Sequence, residues 1–262
     1  MDGIVRAEVA EPGVALITID RPDKRNAMTP AMIAQMREAF RAFDADGSVR
    51  AIVLTGAGDK AFCAGHDIKA MAPGNLGHLY EEEHMQVFLC PRQTMKPVIA
   101  AVNGAAYAGG FCLALNSDLR LATPDATFGV PGARLGIVPI AGQSSRLPHL
   151  LPPAIVNEMI MRGTELSSDR AEHFGFVNAV VPAAELVDRA VGMAAEIAAM
   201  SPVSVQSYKR IALTTLYQSV EAADAMEYWL AMAAGQGDDI QEGLAAFRER
   251  RQPNFKARKG DA

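Results

Sequence analysis

The chain has 262 residues, 50 % of them hydrophobic and 21 % charged, with a formal net charge of -5 at pH 7. This composition supplies a substantial core and excludes a disordered or fibrous chain. The acidic balance argues against a general binder of nucleic acid or anionic membrane, while leaving basic clusters at both ends that suit a phosphorylated ligand.

The N-terminus, Met1 to Arg6, has no charged-then-apolar signal pattern, and no apolar stretch approaches the roughly 20 residues that cross a bilayer. A cytoplasmic location without membrane contact is expected. Val14 to Ile19 is a β-rich run ending at the turn-forming Asp20-Arg21-Pro22-Asp23. Thr29-Pro30 reads as an N-cap with proline at the first helical position, and Met32, Ile33, Met36, Phe40 and Phe43 continue at helical spacing to about Asp44. Ala51 to Leu54 and Val98 to Val102 are continuous apolar runs of strand length, as expected for strands covered on both faces, and Leu119 to Ala122 is a further candidate.

Alternating strands and helices predict an α/β chain with a mainly parallel sheet. After about residue 183 the pattern is helical throughout: Glu185 to Met200, Pro202 to Leu216, Glu221 to Ala234 and Asp238 to Arg250. An α/β core over residues 1–200 and a C-terminal helical subdomain over 201–262 are expected. Glu81-Glu82-Glu83 reads as a solvated helix face. The three cysteines, Cys63, Cys90 and Cys112, form no CxxC and no zinc spacing, so a reducing compartment and no metal site are expected.

Gly56-Ala57-Gly58-Asp59-Lys60-Ala61 follows a strand but matches the dinucleotide fingerprint poorly, because another glycine turn follows where a helix would have to open. GxxxxGK[ST], HExxH and GxSxG are all missing. Two other glycine-rich segments carry more: Phe62-Cys63-Ala64-Gly65-His66-Asp67 and Asn103-Gly104-Ala105-Ala106-Tyr107-Ala108-Gly109-Gly110. Small residues let bare backbone N–H groups approach one substrate oxygen, because no Cβ intervenes. Gly109 is expected to open a helix through Phe111, Leu113 and Leu115, with its N–H at the positive end of the helix dipole.

Together with Asp20-Arg21-Pro22, Asn26-Ala27, Asn116-Ser117-Asp118, Leu135 to Pro139 and Phe247 to Phe255, these segments resemble the signature of the crotonase superfamily, the enoyl-CoA hydratase/isomerase family, over nearly the whole chain. The resemblance implies a spiral of repeated ββα units with a C-terminal trimerisation subdomain, and a homotrimer or dimer of trimers. It implies an acyl-CoA substrate, with coenzyme A entering as part of it and no permanently bound cofactor. It places the oxyanion hole at the backbone N–H groups of Ala64 and Gly109, where removing one donor to a developing oxyanion costs roughly 3–4 kcal/mol. Lys24, Arg25, Ala27, Ala64, Gly65, Asp67, Ile68, Phe247 and Arg250 match positions that hold the coenzyme A moiety, the last two often across a subunit boundary.

The family's hydratases use two glutamates as acid and base, and the matching positions here are Cys112 and Gly132. Glycine has no side chain, and a cysteine in a small-residue helix reads as packing. His66, Arg134, Gln143, Ser144, Tyr80 and the Glu81 to His84 cluster are the remaining polar candidates. His66 leads as a tentative catalytic residue, because some crotonase-fold decarboxylases have a histidine at the matching place; those relatives also have a tyrosine where this chain has Ile140. Two readings follow: an enzyme that stabilises a thioester enolate, performing decarboxylation, isomerisation, hydrolysis or a weak hydration, or a silent acyl-CoA-binding protein.

Overall fold

In a computed structural model of the chain, residues 3–67 and 85–255 are described. Chain order runs β1 (Ile4–Glu11), β2 (Val14–Asp20), α1 (Pro30–Ala45), β3 (Ala51–Gly56), β4 (Ala61–Cys63), α2 (Cys90–Gln93), β5 (Val98–Val102), β6 (Ala105–Tyr107) and α3 (Gly109–Asn116). It continues through β7 (Leu119–Ala122), β8 (Thr127–Gly129), α4 (Pro153–Met161), β9 (Glu165–Ser167), α5 (Ser168–His173) and β10 (Ala179–Val180). The helices α6 (Leu186–Ala198), α7 (Pro202–Tyr217), α8 (Val220–Ala234) and α9 (Asp238–Glu249) complete it.

The large sheet has the order β1-β2-β3-β5-β7-β10, antiparallel only between β1 and β2. Its central strands are buried from end to end because both faces are covered. Along β3, Ile52 and Leu54 face a core shared with Met32, Met36 and Phe40 of α1 and Phe111 of α3. The alternate residues Ala51 and Val53 face Leu186, Ala190 and Ala194 of α6. Thr29 caps α1 as its sequence predicts, its Oγ1 accepting the Met32 N–H at 3.3 Å with Pro30 at the first position.

A smaller sheet, β4-β6-β8-β9, runs beside the large one. Successive pairs (β3 and β4, β5 and β6, β7 and β8) give one strand to each sheet, which makes the fold a spiral of repeated ββα units. β4 and β6 pair in parallel, Ala61 opposite Ala105 and Cys63 opposite Ala106. That pairing sets the two glycine segments side by side across some forty residues of chain.

In the C-terminal helices, α7 and α8 pack on each other, and α7 is anchored to the core by a buried cation. Lys209 Nζ donates to the carbonyls of Pro91 and Lys96, both at 2.8 Å, and to Asp118 Oδ2 at 2.7 Å. Removing one partner of a buried ion pair leaves the other polar groups desolvated without compensation. Lys209→Met is expected to lower unfolding stability by roughly 3 kcal/mol, read from the midpoint of chemical denaturation at unchanged slope.

Candidate active site

The two glycine turns meet at van der Waals limits. A Cβ on Gly110 would lie 1.9 Å from the Cys63 carbonyl oxygen, and one on Gly65, whose φ is +89°, would lie 2.8 Å from the Gly109 nitrogen. No side chain fits at either position, so the backbones themselves form the contact. Gly109 is the first residue of α3, as its sequence predicts, so its N–H has no acceptor within the helix and sits at the positive end of the dipole.

The Ala64 amide, expected from the resemblance to face a substrate, is engaged within the fold. The Ala64 N–H donates to the Arg25 carbonyl at 3.1 Å, and Ala64 does not line the adjoining cavity. Gly65 N–H points to Cys63 Sγ at 3.3 Å. Met28 and His66 form a parallel bridge, in which Met28 N–H donates to the Gly65 carbonyl at 2.7 Å and Asp67 N–H to the Met28 carbonyl at 3.0 Å. In such a bridge the middle residue's own N–H faces away from the paired strand. The His66 amide is therefore turned from Met28, and His66 and Gly109 line one cavity. Ala64 is corrected accordingly: its amide is spent on tying the turn to the loop before α1.

The cavity has a volume of about 90 Å³ and is walled by Met85, Phe88, Ala108, Cys112, Pro131, Gly132, Leu135, Ile137 to Ala141 and Gln143 besides His66 and Gly109. Among the described residues this lining carries no carboxylate. The His66 ring stands edge-on to Phe88, with centroids 4.8 Å apart. Cys112 is buried and donates its thiol to the Ile140 carbonyl at 3.6 Å; burial raises its pKa far above the ordinary thiol value, so it is neither base nor anion. Gly132 belongs to a tight turn over Pro131–Leu135 that Ile137 N–H closes on the Gly132 carbonyl at 2.9 Å. A Cβ there would lie 2.6 Å from the Ile137 oxygen, so a side chain at this position requires the turn to shift.

Among the other polar candidates, Gln143 is buried in the lining, whereas Ser144 is exposed and bonds the Pro139 carbonyl at 2.7 Å. Arg134, a candidate partner for a substrate carboxylate or equally a surface residue by sequence, is exposed and lies over Gly163, away from the lining. Ile140 lines the cavity. Tyr80, Glu81, Glu82, Glu83, His84 and Ile68 lie outside the described residues. Sequence reasoning passed over Phe88 and Met85, which carry no motif and enter the wall only through tertiary packing.

The coenzyme A candidates divide into two groups. Lys24 and Arg25 are exposed on the loop between β2 and α1, and this loop is built by left-handed Arg25 (φ 52°) and Asn26 (φ 55°). Asn26 is fully buried and holds it, donating from Nδ2 to the carbonyls of Ala57 at 2.9 Å and Ala61 at 2.7 Å. Arg21 Nη1 bonds Asp67 Oδ2 at 2.6 Å and the Ala27 carbonyl at 3.1 Å, clamping the loop to the glycine turn. Phe247, 83 % exposed, and Arg250, in a left-handed C-cap, stand at the far end of α9. Among the described residues no cluster of His, Cys, Asp and Glu could hold a metal ion, and no helix is long and apolar enough to cross a membrane.

Comparison with known proteins accords with this architecture. A family model described as enoyl-CoA hydratase/isomerase matches residues 9–258. The chain is similar to the carnitinyl-CoA dehydratase of Escherichia coli K12, 39 % identical over 258 residues covering 92 % of this chain and 94 % of the relative. It is 40 % identical over 253 residues to that of Proteus mirabilis, with the same coverage. Among solved structures it resembles an enoyl-CoA hydratase from Bacillus anthracis at a TM-score of 0.90 and 31 % identity, covering 97 % of this chain and 99 % of that one. An enoyl-CoA hydratase from Mycobacterium marinum matches at 0.87 and 34 %, with the same coverage.

Two outcomes follow from the buried thiols. Burial pushes Cys63 up to about 12 and holds Cys112 higher still, so native protein at pH 8 is expected to resist thiol-reactive dyes at both, while guanidinium exposes them. Because the folded thiols keep protons that the unfolded chain loses above about pH 9, folding stability is expected to fall as pH rises beyond that value. Gly132→Ala is expected to cost about 1–3 kcal/mol through the clash with Ile137, read as a lowered Tm.

Proposed function

The chain belongs to the enoyl-CoA hydratase/isomerase family, and from that premise we propose that it acts on acyl-CoA thioesters by holding the thioester oxygen between the amides of His66 and Gly109. The observation that carries this reading is the shared cavity: His66 and Gly109 both line it, and its described wall holds no carboxylate. Charge developing on the thioester oxygen meets donors already oriented, in apolar surroundings that strengthen them, each worth roughly 3–4 kcal/mol.

A wall without carboxylates suits an enolate formed without removing a proton from carbon. In loss of CO2 from a malonyl-type thioester, the Cα–carboxylate bond breaks, its electron pair moves onto the thioester oxygen, and one proton must then reach Cα. The His66 imidazole, on the same turn as its amide, is the described titratable group placed to deliver it. Dehydration of carnitinyl-CoA, the reaction named for the Escherichia coli relative, needs both a base at Cα and an acid at the leaving hydroxyl. The described lining offers one imidazole for both tasks.

In this reading Lys24 and Arg25 meet the phosphates of coenzyme A, while Ala27, Gly65 and Asp67 receive its nucleotide along the clamped loop; for Ile68 only the resemblance suggests the same role. Phe247 and Arg250 serve the nucleotide end bound to a neighbouring subunit of a homotrimer or dimer of trimers. Exposed Tyr228, Trp229, Leu244 and Phe247 on α8 and α9 supply apolar area that association would cover.

The test is incubation with malonyl-, methylmalonyl-, crotonyl-, β-hydroxybutyryl- and carnitinyl-CoA, with products read by mass spectrometry. A malonyl-type thioester is expected to lose CO2, and crotonyl-CoA to hydrate at least about 100-fold more slowly than with a homologue bearing both glutamates. His66→Ala is expected to slow the decarboxylation by about 100-fold or more. Hydration at the homologue's rate, unchanged in His66→Ala, would overturn the reading; binding without turnover of any member would leave only the acyl-CoA site.

A further inference from the structure

Gln143 occupies the cavity wall with its side chain only 5 % exposed, and its Nε2 donates to the Ala108 carbonyl at 2.9 Å. That carbonyl and the Gly109 N–H are opposite ends of one planar trans peptide. Whatever fixes the direction of the one fixes the other. The Ala108 carbonyl also accepts the Cys112 N–H at 3.0 Å, the first turn of α3. Gln143 supplies a second anchor outside the helix. This peptide needs one, because Ala108 holds φ 50° and ψ -118°, a conformation that a residue with a Cβ adopts at a cost of order 1–3 kcal/mol.

The turn that presents Gln143 is built with comparable strain. Ala141 (φ 54°) and Gly142 (φ 98°) are both left-handed, and Gln143 N–H closes the turn on the Ile140 carbonyl at 3.2 Å. Asn116, fully buried at the end of α3, holds the turn by donating from Nδ2 to the carbonyls of Ala141 and Cys112, each at 2.9 Å. One helix therefore anchors the turn at its C-terminal end and receives the Gln143 amide at its N-terminal end. A hydrogen bond to a peptide carbonyl also polarises that peptide and strengthens its N–H as a donor.

We propose that Gln143 is a positioning residue of the oxyanion site, orienting and polarising the Ala108–Gly109 peptide so that the Gly109 N–H faces the thioester oxygen. This rests on the oxyanion reading given above. Gln143 compensates for the strained Ala108 and acts on the substrate only through Gly109.

The experiment compares two ligands that differ in one group: butyryl-CoA, with the thioester carbonyl, and S-butyl-CoA, the thioether without it. Wild-type protein is expected to bind butyryl-CoA more tightly and to lower the infrared frequency of its 13C-labelled carbonyl. In Gln143→Met the affinity for butyryl-CoA is expected to fall about threefold to tenfold, the size of one neutral hydrogen bond, with S-butyl-CoA unchanged and the infrared shift reduced. Gln143→Glu supplies the second variant. Its ionised carboxylate repels the Ala108 carbonyl, and its protonated form donates to it, so the carbonyl-specific affinity and the shift are expected to recover as pH falls.

Wild-type protein that binds both ligands equally with no carbonyl shift would overturn the oxyanion reading itself. A wild-type shift that persists in Gln143→Met, or that does not vary with pH in Gln143→Glu, would overturn the role of Gln143 and leave that reading standing.

Discussion

The constraint on which the site depends is the contact between two backbones: the strand end at Cys63 and the first turn of α3 at Gly110, where a single added Cβ would fall 1.9 Å from a carbonyl oxygen. This contact requires glycine on one side and a short parallel strand on the other. The β4–β6 pairing sets its register, Gly65 in the left-handed region turns the chain away from it, and the dipole of α3 points into the space that opens beyond. Side chains elsewhere change what lies around that space, but the peptide groups at its edge are held by the fold itself.

Around these peptide groups the described cavity wall carries no carboxylate. Cys112 is buried and keeps its proton, Gly132 closes a turn that a side chain would force to shift, and the remaining described wall is apolar except for His66 and Gln143. An apolar wall increases the worth of each amide toward a developing oxyanion, since competing solvent and counter-charges are excluded. It also removes the groups that would carry protons to and from carbon. In the proposed reading, such a wall favours stabilisation of an oxyanion over proton relay.

The loop that precedes α1 shows how the entrance is held. Asn26 is buried with its amide on two carbonyls, and the Arg21–Asp67 pair joins the same loop to the glycine turn. The Arg25 carbonyl takes the Ala64 amide and so leaves the next amide but one to face the cavity. One hydrogen bond between main-chain groups thus sets which amide of the turn is engaged within the fold. It also ties the loop that carries the exposed Lys24 and Arg25 to the glycine turn.

Local sequence determined the elements whose formation is local. The capped helix α1, the apolar strands β3 and β5, α6 to α9 and the opening of α3 at Gly109 all follow from spacing, caps and continuous hydrophobic runs, because their stabilising contacts repeat every two or 3.6 residues. Resemblance of the glycine segments pointed to the family and to the loss of both carboxylates at Cys112 and Gly132. The three-residue strands β4, β6, β8 and β9 were not legible, because their hydrogen bonds come from partners far along the chain. For the same reason the engagement of the Ala64 amide is not legible locally: its partner is the carbonyl of Arg25, about forty residues earlier. Residue types and their spacing determined that backbone donors could gather here, whereas only tertiary pairing decided which amides point inward, since direction is a property of the partner strand rather than of the residue.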